Sequence, residues 1–386
     1  MQDDSQTLRK FQPIGQYKRP PMPTDESLRR AGWKLWRRFR GIPKRDPFIA
    51  NESLALANEN QLDKLAAPPA CGPLSDELTQ TFTDWLATPE PAHWVQLVVL
   101  PPCDQNDVLR TWAMANEHPI VEPPSRMSLL CHKPDAIELD DSQKLLIIPR
   151  LERWFLRHHQ GLRQIQKLLD QLACKRQHCI VGCNSWAWSY LSKALQTQLV
   201  LPTPLTFEAF DKDRLKAWLY DLSMSDDHTH TFRFAKNGNV IFGEDSNPSA
   251  TNDYFATLAA RSLGIPWVAW HQWRKSLMLG SAANHKVKEK FPQERTVWLA
   301  DVAEMHVPQD DMQAGLLMLQ SLLIHDRLTP AELVATVPGI QRSNVLSAML
   351  EAGIIYREGD ELRCGPAAYP AIRQILSVEG FPGNPL

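Results

Sequence analysis

Two short apolar runs, Leu145 to Ile148 and Cys179 to Val181, flank a stretch whose apolar residues recur every three or four positions. Leu162, Ile165, Leu168, Leu169 and Leu172 share one side of a helix at that spacing. Pro149 and Arg150 break the first run, Gly182 and Cys183 end the second, and Asn184 opens another helix. Strand, helix and strand of this length form a βαβ crossover, which is how parallel strands are joined. Both runs are apolar on consecutive residues, so both strand faces should be buried. The chain is therefore expected to be α/β, a parallel sheet flanked by helices.

A chain of 386 residues is long enough for two or three domains. It divides into a basic, Pro-rich N-terminal extension (1–73), the α/β domain (74–205), a further region with a β-hairpin (206–300) and a C-terminal domain (301–386). Apolar content of 43% with 22% charged residues reads as globular. No run of 18 apolar residues exists, and the start, MQDDSQTLRKF, has no apolar signal core, so a cytoplasmic protein is expected. Seven scattered Cys do not resemble a disulfide framework. No internal repeat is visible.

Charge is uneven. Twelve Lys or Arg lie between Arg9 and Arg45 against Asp25 and Glu26, a local +10 in a chain of net charge −2. Pro13, Pro20, Pro21 and Pro23 keep the opening extended, and Ala66 to Pro73 reads as a linker. Ser27 to Arg40 has a helical pattern, with Leu28, Ala31, Leu35, Trp36 and Phe39 on one side. Arg29, Arg30, Lys34, Arg37, Arg38 and Arg40 supply its charge, and Trp33 adds a second indole. Such a helix can pack on its own domain, fill a partner's groove, lie on an anionic membrane or grip phosphates. Contact with a protein partner is the functional expectation here.

In the α/β domain, Ser75 to Trp85 reads as a lead-in helix and His93 to Leu100 as a strand. Pro101 to Asp107 (PPCDQND) is a turn, and Val108 to Glu117 a helix. Strand, turn and helix are the setting of a phosphate-binding loop. That loop needs glycines so that backbone N–H groups can close on phosphates, a Lys for the β/γ-phosphates and a Ser or Thr for Mg²⁺. The turn has none of these; Cys103, Asp104 and Asp107 stand there instead. Two carboxylates would repel a triphosphate.

This order of elements, with the patches LERWFLR and LAARSLGIPWVAW, resembles an AAA+ or related STAND-type P-loop NTPase domain with its lid and a following winged helix, over about residues 75–376. The resemblance puts PPCDQND in place of Walker A and LLIIPRLE in place of Walker B. Arg150 then stands near the metal-orienting Asp position and Glu152 near the catalytic Glu. The strand CIVGCNS would be sensor 1, with Asn184 in the polar role. It also implies a helical lid over 206–300, its first helix at Thr206 to Leu219. There Trp267, after Gly264-Ile265-Pro266, takes the place of an Arg that senses the γ-phosphate, and Arg261 and Arg274 are less well placed. Thr231 to Phe242 alternates around an Asn237-Gly238 turn signal. Thr251 to Leu263 and Pro266 to Leu277 read as helices, and the spacing of Trp267, Trp270 and Trp273 points to core packing.

Met312 to His325, a Thr329-capped helix, Ile340 to Ala352 and the alternating Ile354 to Cys364 read as a winged helix with its recognition helix and wing. Five Arg against six acids over Met312 to Leu376 disfavour a DNA-docking face. Arg342 and Asn344 are the candidate partner contacts on the recognition helix. Cys174, Cys179 and Cys183 with His178 fit no zinc-finger spacing and read as structural thiols. His228-Thr-His230 is a lone HxH, and His158-His159 reads as surface.

Two functions from different classes follow. One is a scaffold or regulatory protein on a P-loop-like fold that has lost hydrolysis, acting without cofactor or metal through protein contacts, with oligomerisation possible. The other is a nucleotide-binding switch ATPase with divergent motifs. A third, DNA association through the basic N-terminal segment, is less favoured.

Overall fold

The structure is a computed structural model. It describes residues 9–23, 54–56, 62–63, 65, 72–126, 128–130, 137, 139–140, 142–224, 230–242, 248–280, 296–308 and 311–386. The basic segment 27–40, with Arg29, Arg30, Trp33, Trp36, Arg37, Arg38, Phe39 and Arg40, lies outside the described residues. Two compact units emerge, each from separate stretches of chain. Unit 1 comprises Met1–Lys18, Ala70–Glu208 and Met305–Leu386; unit 2 comprises Arg19–Pro69 and Ala209–Glu304. Each unit thus draws on more than one of the four segments read from the sequence.

Unit 1 holds β1 (Gln12–Pro13), α1 (Gly72–Leu86), β2 (Val95–Leu100), α2 (Val108–Ala115), β3 (Leu145–Ile148), α3 (Arg163–Cys174), β4 (His178–Asn184), α4 (Ser185–Ala194) and β5 (Leu205–Thr206). Its sheet order is β1-β5-β2-β4-β3. The pairs β2–β4, β3–β4 and β2–β5 are parallel, and β1 adds an antiparallel edge. Pro13 is tolerated there because an edge strand needs one fewer ladder donor. Leu97, Val98, Val99, Ile147, Ile148, Ile180 and Val181 are all at 0% exposure, so both faces are covered, as consecutive apolar residues predict. α3 buries Ile165, Leu168, Leu169 and Leu172, the side its periodicity marks. Register sets Leu100 opposite Asn184 and Ile148 opposite Val181. The carboxyl ends of β2, β3 and β4 therefore meet along one edge, where open α/β sheets place ligands. α1 starts at Gly72, so Pro73 sits in its first turn rather than in a linker.

The C-terminal stretch of unit 1 contains α5 (Met312–His325), β6 (Arg327–Leu328), α6 (Pro330–Thr336), α7 (Val345–Glu351), β7 (Ile355–Glu358), β8 (Glu361–Cys364) and α8 (Tyr369–Val378). Its antiparallel sheet runs β6-β8-β7. α5 is buried from Met318 through His325, which suits a helix apolar on most sides. Thr329 and Glu332 form a capping box at the start of α6. The single helix expected over Ile340 to Ala352 is divided. A 3-10 turn, Ile340–Arg342, is followed by extended Ser343 before α7 begins.

Unit 2 departs from the expected helical lid. It has helices Lys212–Met224, Pro248–Arg261 and Pro266–Ser276 and also a four-stranded sheet. Leu277–Gly280 pairs with Leu54–Leu56 and Thr296–Leu299, and Thr231–Phe234 lies parallel to Thr296–Leu299. The anticipated hairpin shrinks to a single bridge, Arg233–Val240, because Thr231–Phe234 finds its main partner elsewhere. The first helix starts at Lys212, since Leu205–Thr206 is spent as a strand in unit 1. Trp267, Trp270 and Trp273 are all buried. Among the described residues, no helix is long and apolar enough to cross a membrane.

Candidate functional site

The turn after β2 leads directly into α2, as anticipated, and Pro101 through Asp104 are buried. Cys103 (φ 64°) and Asp107 (φ 48°) adopt left-handed backbone without being glycine. Such residues cost about 1–2 kcal/mol each, so surrounding contacts must hold them. Asp104 supplies some of these. Its Oδ2 accepts the Val108 N–H at 2.8 Å and its Oδ1 the Asn106 N–H at 3.0 Å. A carboxylate thus sits on the first N–H of α2, where the positive end of a helix otherwise receives a phosphate.

Arg150, just past β3, enters the same space. Its Nε is 2.8 Å from the Asp107 carboxylate, and its Nη1 is 3.1 Å from Asp326 and 3.5 Å from Glu152. Its Nη2 donates to the Asp104 carbonyl at 2.7 Å. Arg363 of β8 joins from the other side, with Nη2 3.1 Å from Asp326 Oδ1 and Nη1 2.7 Å from Glu358. Arg150 is 7% exposed and Arg363 2%, so neither charge relies on water. Burial alone would lower the Arg150 pKa, but Asp326, Asp107, Glu152 and Asp104 outweigh it and hold it well above the ordinary value. Burial would raise the Asp326 pKa; Arg150, Arg363 and Arg327 overcome it and hold the carboxyl at about 2. Asp104 and Glu152 go the other way, burial raising each against the opposing pull of Arg150. Burial, with Asp326 adding, pushes the Cys103 thiol up and keeps it un-ionised.

Glu152 lies in a one-turn 3-10 helix, Leu151–Arg153, and accepts the Asn184 N–H at 3.1 Å. Asn184 caps α4 by accepting the Ala187 N–H at 2.8 Å and donates its Nδ2–H to the Ile324 carbonyl of α5 at 3.0 Å. Gly182 lets β4 pass against Pro149: a Cβ there would meet the Pro149 carbonyl oxygen at 2.1 Å and Leu109 Cδ2 at 2.6 Å. What remains between Asp104, Asp107, Arg150, Glu152 and Asn184 is a cavity of about 20 Å³. That holds roughly one water and no triphosphate.

Cys103, Asp104, Asp107, Arg150, Glu152 and Asn184 are therefore brought together at one edge. Trp267 is buried in unit 2. In the same unit Arg261 donates to the Val302 carbonyl, and Arg274 pairs with Asp63 at 2.6 Å. Arg342 and Asn344 are exposed, outside the charged network. The site is not free of cations, as the bare turn suggests, but its cations are neutralised from within. Sequence reasoning missed Asp326 and Arg363; neither carries a local signal beyond a charged residue beside a short strand. Cys179 and Cys183 are buried in β4 while Cys174 is exposed, and the described residues hold no group of His, Cys, Asp and Glu arranged for a metal.

Fold and site together define an α/β protein with a parallel-rich sheet whose ligand edge is closed by a buried ion network. No protein-family model matches the chain, and no curated protein matches it. Among solved structures, it is similar to a point variant of Thermotoga maritima RuvB at 14% identity and a TM-score of 0.33, covering 80% of this chain and 95% of that one. Cdc6p from Pyrobaculum aerophilum gives 13% identity and 0.25, covering 88% and 97%. ORC2 from Aeropyrum pernix gives 10% and 0.29, covering 77% and 91%. Likeness at these scores carries no argument about activity.

Proposed function

We propose that this chain is a P-loop-NTPase-like protein with a helix-rich second unit and a C-terminal winged helix, and that it works without hydrolysing nucleotide, as a scaffold or regulatory protein. One observation carries the reading: Asp104 occupies the helix N-terminus, and Arg150, bound to Asp107, Asp326 and Glu152, fills the space beside it. Phosphoryl transfer depends almost wholly on positioned cations and backbone donors aimed at phosphate. Here those donors and cations already serve the protein's own carboxylates. The strands read as Walker A, sensor 1 and Walker B are β2, β4 and β3, adjacent and parallel, which supports the P-loop-like reading. The order helix, strand, two helices and hairpin in the C-terminal stretch supports the winged helix.

Protein contact is the proposed mode of action, through the basic segment 27–40 first and through exposed Arg342 and Asn344 next. The measurement is Mg-ATP binding and turnover by the purified full chain. Turnover should not be detected, and any Mg-ATP that binds should not depend on Asp107 or Arg150. Micromolar affinity with turnover that is lost on changing Asp107 or Arg150 would end the scaffold reading in favour of a switch ATPase.

A further inference from the structure

Arg153, the last residue of the 3-10 turn that carries Glu152, stands apart from the other arginines. Among the described residues it is the one arginine not exposed to solvent that has neither a hydrogen-bond acceptor nor an ion-pair partner for its side chain. Its Nε–H is sealed from solvent and has no acceptor. Its terminal amino groups have no protein acceptor either, yet keep solvent access, so the guanidinium fork is left open at the surface. The neighbouring charges worsen its position. Burial comes first, and repulsion from Arg327 and Arg150, each larger than the opposing pull of Asp326 or Glu152, adds to it, so the guanidinium is pulled below its ordinary pKa. Arg327 has its own partners in Asp326 and Glu361 (3.5 and 3.0 Å), and Arg157 donates to Gln320 at 2.7 Å. A half-buried, unpaired arginine flanked by like charge is costly, and an anion relieves that cost.

We propose that Arg153 anchors an oxyanion-binding site on unit 1, outside the closed pocket, and that its ligand carries a phosphate group. The planar guanidinium fork matches phosphate oxygens in two-point contact. A carboxylate brings a single charge, whereas a phosphate monoester brings about −1.5 to −2 near neutral pH to a guanidinium that has no protein partner of its own. The phosphate can be free or the tail of a nucleotide.

The test is calorimetric titration of the full chain with pyrophosphate and, separately, with ATP, without Mg²⁺ and at low salt. The wild-type chain should bind pyrophosphate saturably, and Arg153→Gln should weaken that binding by about tenfold or more. Arg342→Gln, at an exposed arginine, should leave it unchanged. Arg153→Lys keeps the charge but not the fork; it should weaken binding by about threefold, and it serves where the Gln variant folds poorly. Equal affinity for the two ligands identifies the phosphate chain without a nucleoside as sufficient, and tighter ATP identifies a nucleotide. Absence of saturable binding of both ligands, or equal affinity in wild type and both Arg153 variants, overturns the proposal. ATP seated at the Pro101–Asp107 turn would survive Arg153→Gln, so this site and the scaffold reading fail separately.

Discussion

Arg150 Nη1 lies 3.1 Å from the Asp326 carboxylate, and both side chains are buried. The pair joins the carboxyl end of a central-sheet strand to the corner between α5 and β6. Replacing Arg150 with Met leaves Asp326, Asp107 and Glu152 with buried charge and no common partner. Loss of one member of such a network costs about 3–5 kcal/mol. Calorimetric unfolding of Arg150→Met should show the melting temperature lowered by about 10 °C. The double variant Arg150→Met, Asp326→Asn should be less destabilised than the two single losses added together.

Stability should also depend on acid through Asp326. Its folded pKa of about 2 lies below the ordinary 3.8, so its contribution is present above about pH 4 and is lost as pH falls through 2. Protonated Asp and Asn are alike in shape and charge. Urea unfolding of wild type and Asp326→Asn should therefore differ most above pH 4, with the gap closing toward pH 2. A gap that stays constant across that window would show that the carboxylate charge is not what holds the pair.

Asn184 serves two elements at once, capping α4 and binding the Ile324 carbonyl. Asn184→Ala should cost about 2–3 kcal/mol, from one lost cap and one buried carbonyl left short of a donor. Hydrogen exchange should speed up at the first turn of α4 and the last turn of α5. Loss of protection at α4 alone would mean that the Ile324 contact contributes little.

Asp104→Ala removes the acceptor for the Val108 and Asn106 N–H groups and should destabilise by about 1–2 kcal/mol; Asp104→Asn, which keeps an acceptor, should cost less. Neither change should add ATP binding beyond that of the wild-type chain, because Arg150 stays paired with Asp107 and Asp326. Thermal melts with and without Mg-ATP check both points.

Part of this was legible in the chain. The apolar runs marked β3 and β4, and the three-and-four spacing marked α3 and the side it buries. The absence of glycine, Lys, Ser and Thr from Pro101–Asp107 was legible too, and the turn does sit between a central strand and a helix. The sheet of unit 2 was not read, because its strands are three or four residues long and pair across wide separations, as Leu54–Leu56 does with Leu277–Gly280. Arg363 entered the sequence reading only as one of five Arg in the charge balance of Met312 to Leu376; in β8 it lies beside Leu362 and Cys364, and all three are buried.

By itself, the sequence determined the strands and crossover helix of the βαβ unit, since hydrophobic period is a local property, and which groups the turn after β2 lacks. Only the tertiary structure decided that Arg150, Asp107, Asp326 and Arg363 meet and close the edge. Charge pairing over long separations leaves no periodic trace: any of the chain's acids is formally eligible for any of its arginines, and the packing of α5 against α4, β8 and the Leu151–Arg153 turn selects the partners.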